Sequence, residues 1–222
     1  MELSVEKPER IGDRLEALYT GIIHDVLRSM GEPRGVLPKE IDPLSGSGKV
    51  GGVVFTMEGR PDPDISEHDS LLLWTEFLSE VPSGSVVLCQ PNDAEAAHMG
   101  ELSAETLQFR GVRGFVVDGG TRDTRFILDI EFPVWCRYTT PSDIVGRWRV
   151  SSLGAPIVIG GIGVETGDWV LADEDGVVVI PQRIAESVVT EAEIQMSTED
   201  KIRAAILQGT SPKDAYLKFG KF

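Results

Sequence analysis

Arg122 and Asp123 stand side by side near the end of the run Val116-Val-Asp-Gly-Gly-Thr-Arg-Asp-Thr-Arg125. An apolar strand that ends in a glycine pair, followed by a guanidinium and a carboxylate, places both charged groups at a strand end, where α/β proteins keep their sites. Gly119 and Gly120 let a ligand come close to the backbone. Arg122 follows Glu101 by 21 positions, and Gly100-Glu101-Leu102-Ser103 reads as the start of a helix whose free N–H groups attract a carboxylate ligand. If that helix packs beside the strand, Glu101, Arg122 and Asp123 face one cleft. The same residues also fit a capped helix and a surface ion pair, and the pattern alone leaves both open.

Several other chemistries fail on spacing. His24, His68 and His98 lie 44 and 30 residues apart, so no sequence-local zinc site is visible. Ser45-Gly-Ser-Gly-Lys49 imitates a phosphate loop, but no glycine lies five residues before Gly48 and Val50 replaces the required Ser or Thr. Gly161-Ile-Gly163 is followed by Gly167 where a dinucleotide fingerprint needs position 166, and it lies among hairpins. There is no Gly-x-Ser-x-Gly elbow. Asp173-Glu-Asp-Gly176 lacks the alternating ligands of a calcium loop and reads as a hairpin turn. Cys89 and Cys136 each sit in an apolar, strand-like run and read as buried free thiols.

The elements that must position Glu101, Arg122 and Asp123 follow from periodicity. Apolar residues from Ile11 to Met30 recur at steps of three and four, predicting an amphipathic helix stopped by Gly31 and divided at Thr20-Gly21, with Thr20 capping the second piece. Residues 33–48 read as a loop, 49–57 as a strand, and 66–81 as a helix with Ser66 as its cap. A strand follows over 85–90. The next helical stretch, 94–110, is broken at Gly100, so that a fresh helix starts at Glu101 and stops at Gly111. The strand 114–118 runs into the glycine pair and a short charged segment, 121–125. Short strands at hairpin spacing follow over 132–138, 146–151, 157–160, 169–172 and 177–180. Residues 182–208 return to helix, and Ser211-Pro212 opens a last short one that ends near Gly220. The fold class expected is α/β, a layered sandwich of mixed sheet flanked by helices, as a single domain over residues 1–222.

Composition bounds the partners. Of 222 residues, 21 are basic and 36 acidic, a net charge of −15 that opposes a grip on nucleic-acid phosphates. The longest apolar stretch, 155–164, is broken by glycine and about half the length that a membrane span needs. The first ten residues lack the pattern of a secretory peptide, so a cytoplasmic protein is expected.

Gly100-Glu-Leu-Ser, Gly114-Phe-Val-Val-Asp-Gly-Gly-Thr-Arg-Asp123, Phe132-Pro-Val-Trp, Gly146-Arg-Trp-Arg and Gly167-Asp-Trp-Val-Leu-Ala-Asp-Glu-Asp-Gly-Val-Val-Val-Ile-Pro181 occur in this order. Together they resemble the 4-hydroxy-4-methyl-2-oxoglutarate / 4-carboxy-4-hydroxy-2-oxoadipate aldolases, which share a fold with the regulator of ribonuclease activity A. The likeness runs from about Leu15 to Phe219. The family carries an acidic residue, twenty intervening residues and then Arg-Asp. Here these are Glu101 and Arg122-Asp123, with Glu standing where the founding aldolases have Asp.

The resemblance implies a lyase that cleaves a 4-hydroxy-2-oxo acid to release pyruvate, dependent on Mg2+, Mn2+ or another divalent cation, with oxaloacetate decarboxylase activity. Asp123 would be the direct metal ligand, with Glu101 acting through water. Arg122 would donate to the oxygen that becomes negative, and the backbone around Gly100, Leu102 and Ser103 would orient the substrate carboxylate. It also implies a homo-oligomer, trimer or hexamer, in which helices over residues 182–219 meet a neighbouring subunit and a glutamate enters its cleft. Glu199 is the candidate, with a solvated helix face as the other reading of that residue. Two further functions stay open: a non-enzymatic regulator of ribonuclease through protein binding, and a related lyase for a sugar-derived oxo acid.

Overall fold

The computed structural model describes residues 8–44 and 48–221. The apolar stripe of the first thirty residues folds as α1 (Pro8–Glu16) and α2 (Thr20–Ser29), divided where the sequence predicts. Thr20 does not cap α2, however. Tyr19 holds the cap position without a side-chain bond, and Thr20 is already helical. The cap comes from the far end of the chain. Asp173 Oδ2 accepts the Thr20 backbone N–H at 2.8 Å and Asp173 Oδ1 accepts its hydroxyl at 2.7 Å. Asp173 is buried, and these bonds with a third from the Asp175 N–H occupy its carboxylate.

The chain then alternates through β1 (Asp42–Pro43), β2 (Val50–Pro61), α3 (Glu67–Glu80), β3 (Ser85–Gln90), α4 (Glu101–Phe109), β4 (Gly114–Val117), β5 (Gly120–Thr121), α5 (Thr124–Asp129) and β6 (Val134–Cys136). The second half holds β7 (Tyr138–Thr139), β8 (Trp148–Leu153), β9 (Ile157–Ile159), β10 (Ile162–Val164), β11 (Trp169–Asp173) and β12 (Gly176–Ile180). It closes with one 3-10 turn, α6 (Ala185–Leu207) and α7 (Pro212–Phe219). Ser66 caps α3 by accepting the Asp69 N–H at 3.0 Å, and Ser211 caps α7 in the same way. Residues 94–98, expected to be helical, are turn and bridge instead, because Ala97 pairs with Gly120 and its N–H bonds to the Ser142 carbonyl. The segment 132–138 is two strands, with β6 and β7 belonging to different sheets. Helix α5 was not foreseen within the charged segment.

One mixed sheet runs in the order β1-β6-β4-β3-β2-β11-β12. Strands β2, β3, β4 and β6 are parallel, and α3, α4 and α5 are the crossovers between them. β2 is longer than its predicted strand because its two ends have different antiparallel partners, β11 at Val50–Val53 and β8 at Met57–Pro61. Residues 35–37 bond to β12 on their way to β1, which pairs with β6, so the sheet is nearly closed.

Closure explains the unbroken apolar runs of the parallel strands, which are buried on both faces. In β3, Val86 and Leu88 point inside with Val54, Val116 and Trp135, while Val87 and Cys89 point out against α3 and α4. In β11, Val170 and Ala172 point inside, and Trp169 and Leu171 point out against α1, α2 and α6. Burying a residue such as Phe115 or Ile23 completely contributes about 2 to 3 kcal/mol of transfer free energy. Cys89 and Cys136 are free and buried, as expected, and burial pushes both thiols above their usual range. No helix among the described residues is long and apolar enough to cross a membrane.

Candidate active site

Parallel strands β3, β4 and β6 end on the same side, and three segments leaving that edge are stitched together. The His98 N–H bonds to the Gly120 carbonyl at 2.8 Å, the Arg122 N–H to the Met99 carbonyl at 2.9 Å, and the Thr140 N–H to the Thr121 carbonyl at 3.0 Å. Short parallel pairing of β5 with β7 completes the patch. Residues 97–100, 119–123 and 137–142 therefore form a backbone-bonded platform, and the candidate side chains stand on it.

Gly100 is the N-cap position of α4 and Glu101 its first residue. Asp123 is held in the left-handed region, φ 55°, a conformation uncommon outside glycine and one that Asp tolerates better than most. From there Asp123 Oδ2 accepts the Glu101 backbone N–H at 3.1 Å, the arrangement that an exposed helix N-terminus favours. Gly100 is required by this approach. A Cβ built on it would lie 2.7 Å from Asp123 Oδ2 and 3.3 Å from the Arg122 side chain. The structure thus brings Gly100 and the Glu101 backbone N–H against Arg122 and Asp123, though neither Gly100 nor Glu101 lines the cleft that those two open onto.

Arg122 Nε lies 3.4 Å from Asp123 Oδ2, and Nη1 lies 3.1 Å from Asp143 Oδ2. Both Arg122 and Asp123 are 37% exposed, open enough for a small ligand to reach. They line a cleft of about 300 Å³ with Thr124, Thr139, Thr140 and Pro141. A larger hollow of about 460 Å³ lies elsewhere, against Leu44, Phe132 and Trp135, with Lys49 and Glu131 as its charged lining. Size alone would choose that hollow, but the paired guanidinium and carboxylate lie in the smaller cleft.

Leu102 is exposed, and the Ser103 hydroxyl is already engaged, accepting the Trp74 indole N–H at 2.9 Å. What these two residues offer a ligand is backbone N–H at the helix start. Glu199 stands apart. Its carboxylate accepts from the Tyr19 hydroxyl and from Lys221 at 2.8 Å, and none of these residues lines the cleft. Burial works against the charged Glu199, but the bonds from Lys221 and Tyr19 outweigh it and lower its pKa. Within one chain it does not join Arg122 and Asp123.

Asp143 was missed in the sequence. It lies in the loop between β7 and β8, and no local spacing ties it to Arg122. His98, beneath the glycine pair, is buried against Trp148, with ring centroids 5.0 Å apart. Its Nε2 lies 3.3 Å from Asp93 Oδ2, a charge approach without hydrogen-bond geometry. Burial first, then Arg147, pushes its pKa down to about 4 against the opposing pull of Asp93.

The side chains lining the cleft offer a metal oxygen only, from the Asp123 carboxylate and the threonine hydroxyls, which suits a hard cation such as Mg2+. Among the described residues no three His, Cys, Asp or Glu cluster as a metal site by themselves.

The RraA-like family, described as Aldolase/RraA, matches residues 20–179. A protein of Halalkalibacterium halodurans named "Putative 4-hydroxy-4-methyl-2-oxoglutarate aldolase" is 28% identical over 82% of this chain and 83% of its own. Streptomyces coelicolor RraAS2, described as an unusual member of the RNase ES inhibitor RraA protein family, has a solved structure with a TM-score of 0.79. It is 27% identical over 88% of this chain and 97% of its own. A solved chain described among novel cellulases from microbes of the gut ecosystem is 31% identical, with a TM-score of 0.83 and 90% of each chain covered.

Proposed function

Because the chain belongs to the RraA-like, Aldolase/RraA family, we propose that it is a divalent-metal-dependent lyase of the 4-hydroxy-4-methyl-2-oxoglutarate type. It would release pyruvate and also decarboxylate oxaloacetate. The observation that carries this reading is the Arg122–Asp123 pair, bonded through Asp123 to the N-terminus of α4 in an open cleft.

Asp123 would hold the cation directly, and Glu101, with Glu199 from a neighbouring subunit of a trimer or hexamer, would hold it through water. A divalent cation there supplies Lewis-acid stabilisation of charge on the 2-oxo oxygen. The chain's own residues do the rest. Backbone N–H groups of Leu102 and Ser103 orient the substrate carboxylate at the start of α4. Arg122 donates to the 2-oxo oxygen as the C3–C4 bond breaks and its electrons pass into the pyruvate enolate. The 4-hydroxyl becomes the carbonyl of the second product and loses its proton to water, since none of the residues lining the cleft is a histidine. Protonation of the enolate at C3 completes pyruvate. Decarboxylation of oxaloacetate forms the same enolate and needs the same donors.

Glu199 must exchange its bonds to Tyr19 and Lys221 to serve a neighbour's cleft. The net charge of −15 opposes a grip on nucleic-acid phosphates and so supports a protein that does not bind nucleic acid. It also supports a second reading, in which the acidic surface meets basic segments of a protein partner such as a ribonuclease.

The test is pyruvate release, coupled to lactate dehydrogenase, from 4-hydroxy-4-methyl-2-oxoglutarate and from oxaloacetate, with Mg2+, with Mn2+ and after chelation. Metal-dependent release supports the lyase. Failure with both substrates, together with a salt-sensitive pull-down indifferent to metal, favours the binding protein.

A further inference from the structure

Resting on the lyase reading, we propose that Asp143 is a positioning residue for Arg122, bracing one side of the guanidinium so that its free donors are presented to the cleft. Asp143 uses its two oxygens separately. Oδ1 accepts the Val145 N–H at 3.2 Å, which shapes its own loop, and Oδ2 accepts from Arg122 Nη1 at 3.1 Å. Asp123 approaches the same guanidinium at Nε. The hydrogen bond at Nη1 and the ion contact 3.4 Å from Nε together hold the plane of the fork. Among the described residues Nη1 alone of the fork is hydrogen-bonded, so Nη2, which touches neither carboxylate, is the donor that faces a substrate oxygen free of both.

The brace is itself anchored. Arg147 Nε donates to the Asp143 carbonyl at 2.6 Å, and Arg147 also bonds the Ser142 hydroxyl. The Ser142 carbonyl accepts the Ala97 N–H at 2.7 Å, which ties the loop to the segment leading into α4. The Gly146 N–H bonds to Ser70 Oγ at 3.0 Å, which ties it to α3. A long, rotamer-rich arginine at the mouth of an open cleft needs such an anchor to hold one geometry. Asp143 is 42% exposed, so solvation of its carboxylate does not require Arg122.

The experiment compares wild type, Asp143→Ala and Asp143→Asn in the intact oligomer. Its first readout is the rate of pyruvate release with kcat, substrate KM and metal activation constant separated. Its second is NMR relaxation of the Arg122 Nε–H, assigned by its loss in Arg122→Lys. Bracing predicts that Asp143→Ala lowers kcat about 10- to 100-fold, the scale of a misplaced catalytic group, and makes the Arg122 Nε–H mobile. Asp143→Asn keeps an acceptor oxygen and should recover most of both, with the metal activation constant unchanged in either variant. An Arg122 signal as ordered in Asp143→Ala as in wild type overturns the proposal, as does an unchanged kcat. So does a metal constant that weakens alike in both variants, which would make Asp143 a ligand. Wild type that releases no pyruvate overturns the lyase reading instead, and the relaxation readout still decides the bracing.

Discussion

Asp123 Oδ2 accepts the backbone N–H of Glu101 across 22 positions of sequence, so the strand-end pair and the first turn of α4 form one unit. Anything that moves the Asp123 carboxylate loosens its bond to the helix start and its contact with Arg122 together.

Gly100→Ala tests that unit with a single methyl group. The backbone at Gly100 is extended, φ −151°, which any residue adopts, so little stability should be lost to strain. The new Cβ instead collides with Asp123 Oδ2. Metal-dependent pyruvate release should fall about 10- to 100-fold while the melting temperature moves little. Unchanged activity would show that Asp123 does not need its present place.

Arg122→Ala should lower kcat about 100-fold or more, the scale of losing an oxyanion donor. Arg122→Lys should also be poor, because a point charge cannot touch Asp123 and Asp143 and still present a donor to the cleft. Asp123→Ala should abolish metal-dependent release. Steady-state assays of the three purified variants check these outcomes, and near-normal turnover by any of them would refute the assignment of that residue.

His98 gives the stability a dependence on pH. Its pKa in the fold, about 4, lies below the ordinary histidine value of about 6.5, so the unfolded chain binds the proton more readily. Its contribution is therefore whole above about pH 6.5 and is lost as the pH falls toward about 4, on the order of 3 kcal/mol in all. Thermal melts between about pH 7.5 and 4.5 should fall more steeply for wild type than for His98→Gln, whatever the absolute stability of the variant. Parallel slopes would mean that His98 takes up its proton as readily in the fold as in the unfolded chain.

Asp173→Ala should remove about 3 kcal/mol, since it deletes the cap of α2 and leaves the Thr20 N–H and hydroxyl buried without a partner. Urea unfolding with an unchanged slope would measure it. Thr20→Val should cost less, because the N–H bond to Asp173 remains.

The layered α/β architecture was legible because its signals are local: alternating apolar steps, serine caps, and a glycine before Glu101. The Arg122–Asp123 pair could be read for the same reason, both residues following directly on a strand. What escaped was set by partners distant in sequence. Thr20 looks like a cap from its neighbours, yet the cap is Asp173. Residues 94–98 carry helix-forming alanines, but strand-like pairing with Gly120 prevails there. Asp143 braces Arg122 from a loop whose sequence, Pro141-Ser-Asp-Ile144, announces only a turn. Glu199, suggested by resemblance, lies on a helix that the single chain keeps away from the cleft.

The bond between Asp173 and Thr20 spans 153 positions, and that separation sets a schedule for the newborn chain. At roughly 5 to 20 residues per second, the ribosome takes about 8 to 30 s to deliver Asp173 after Thr20 has been made. During that interval α2 has no cap, and β11 and β12, which cover the apolar faces of α1 and α2, do not yet exist. Leu15, Leu18, Ile22 and Ile23 are buried in the finished fold but leave the tunnel long before Asp173. The N-terminal layer is complete only once that hairpin has been made, so its apolar faces stay uncovered for most of the synthesis of the fold.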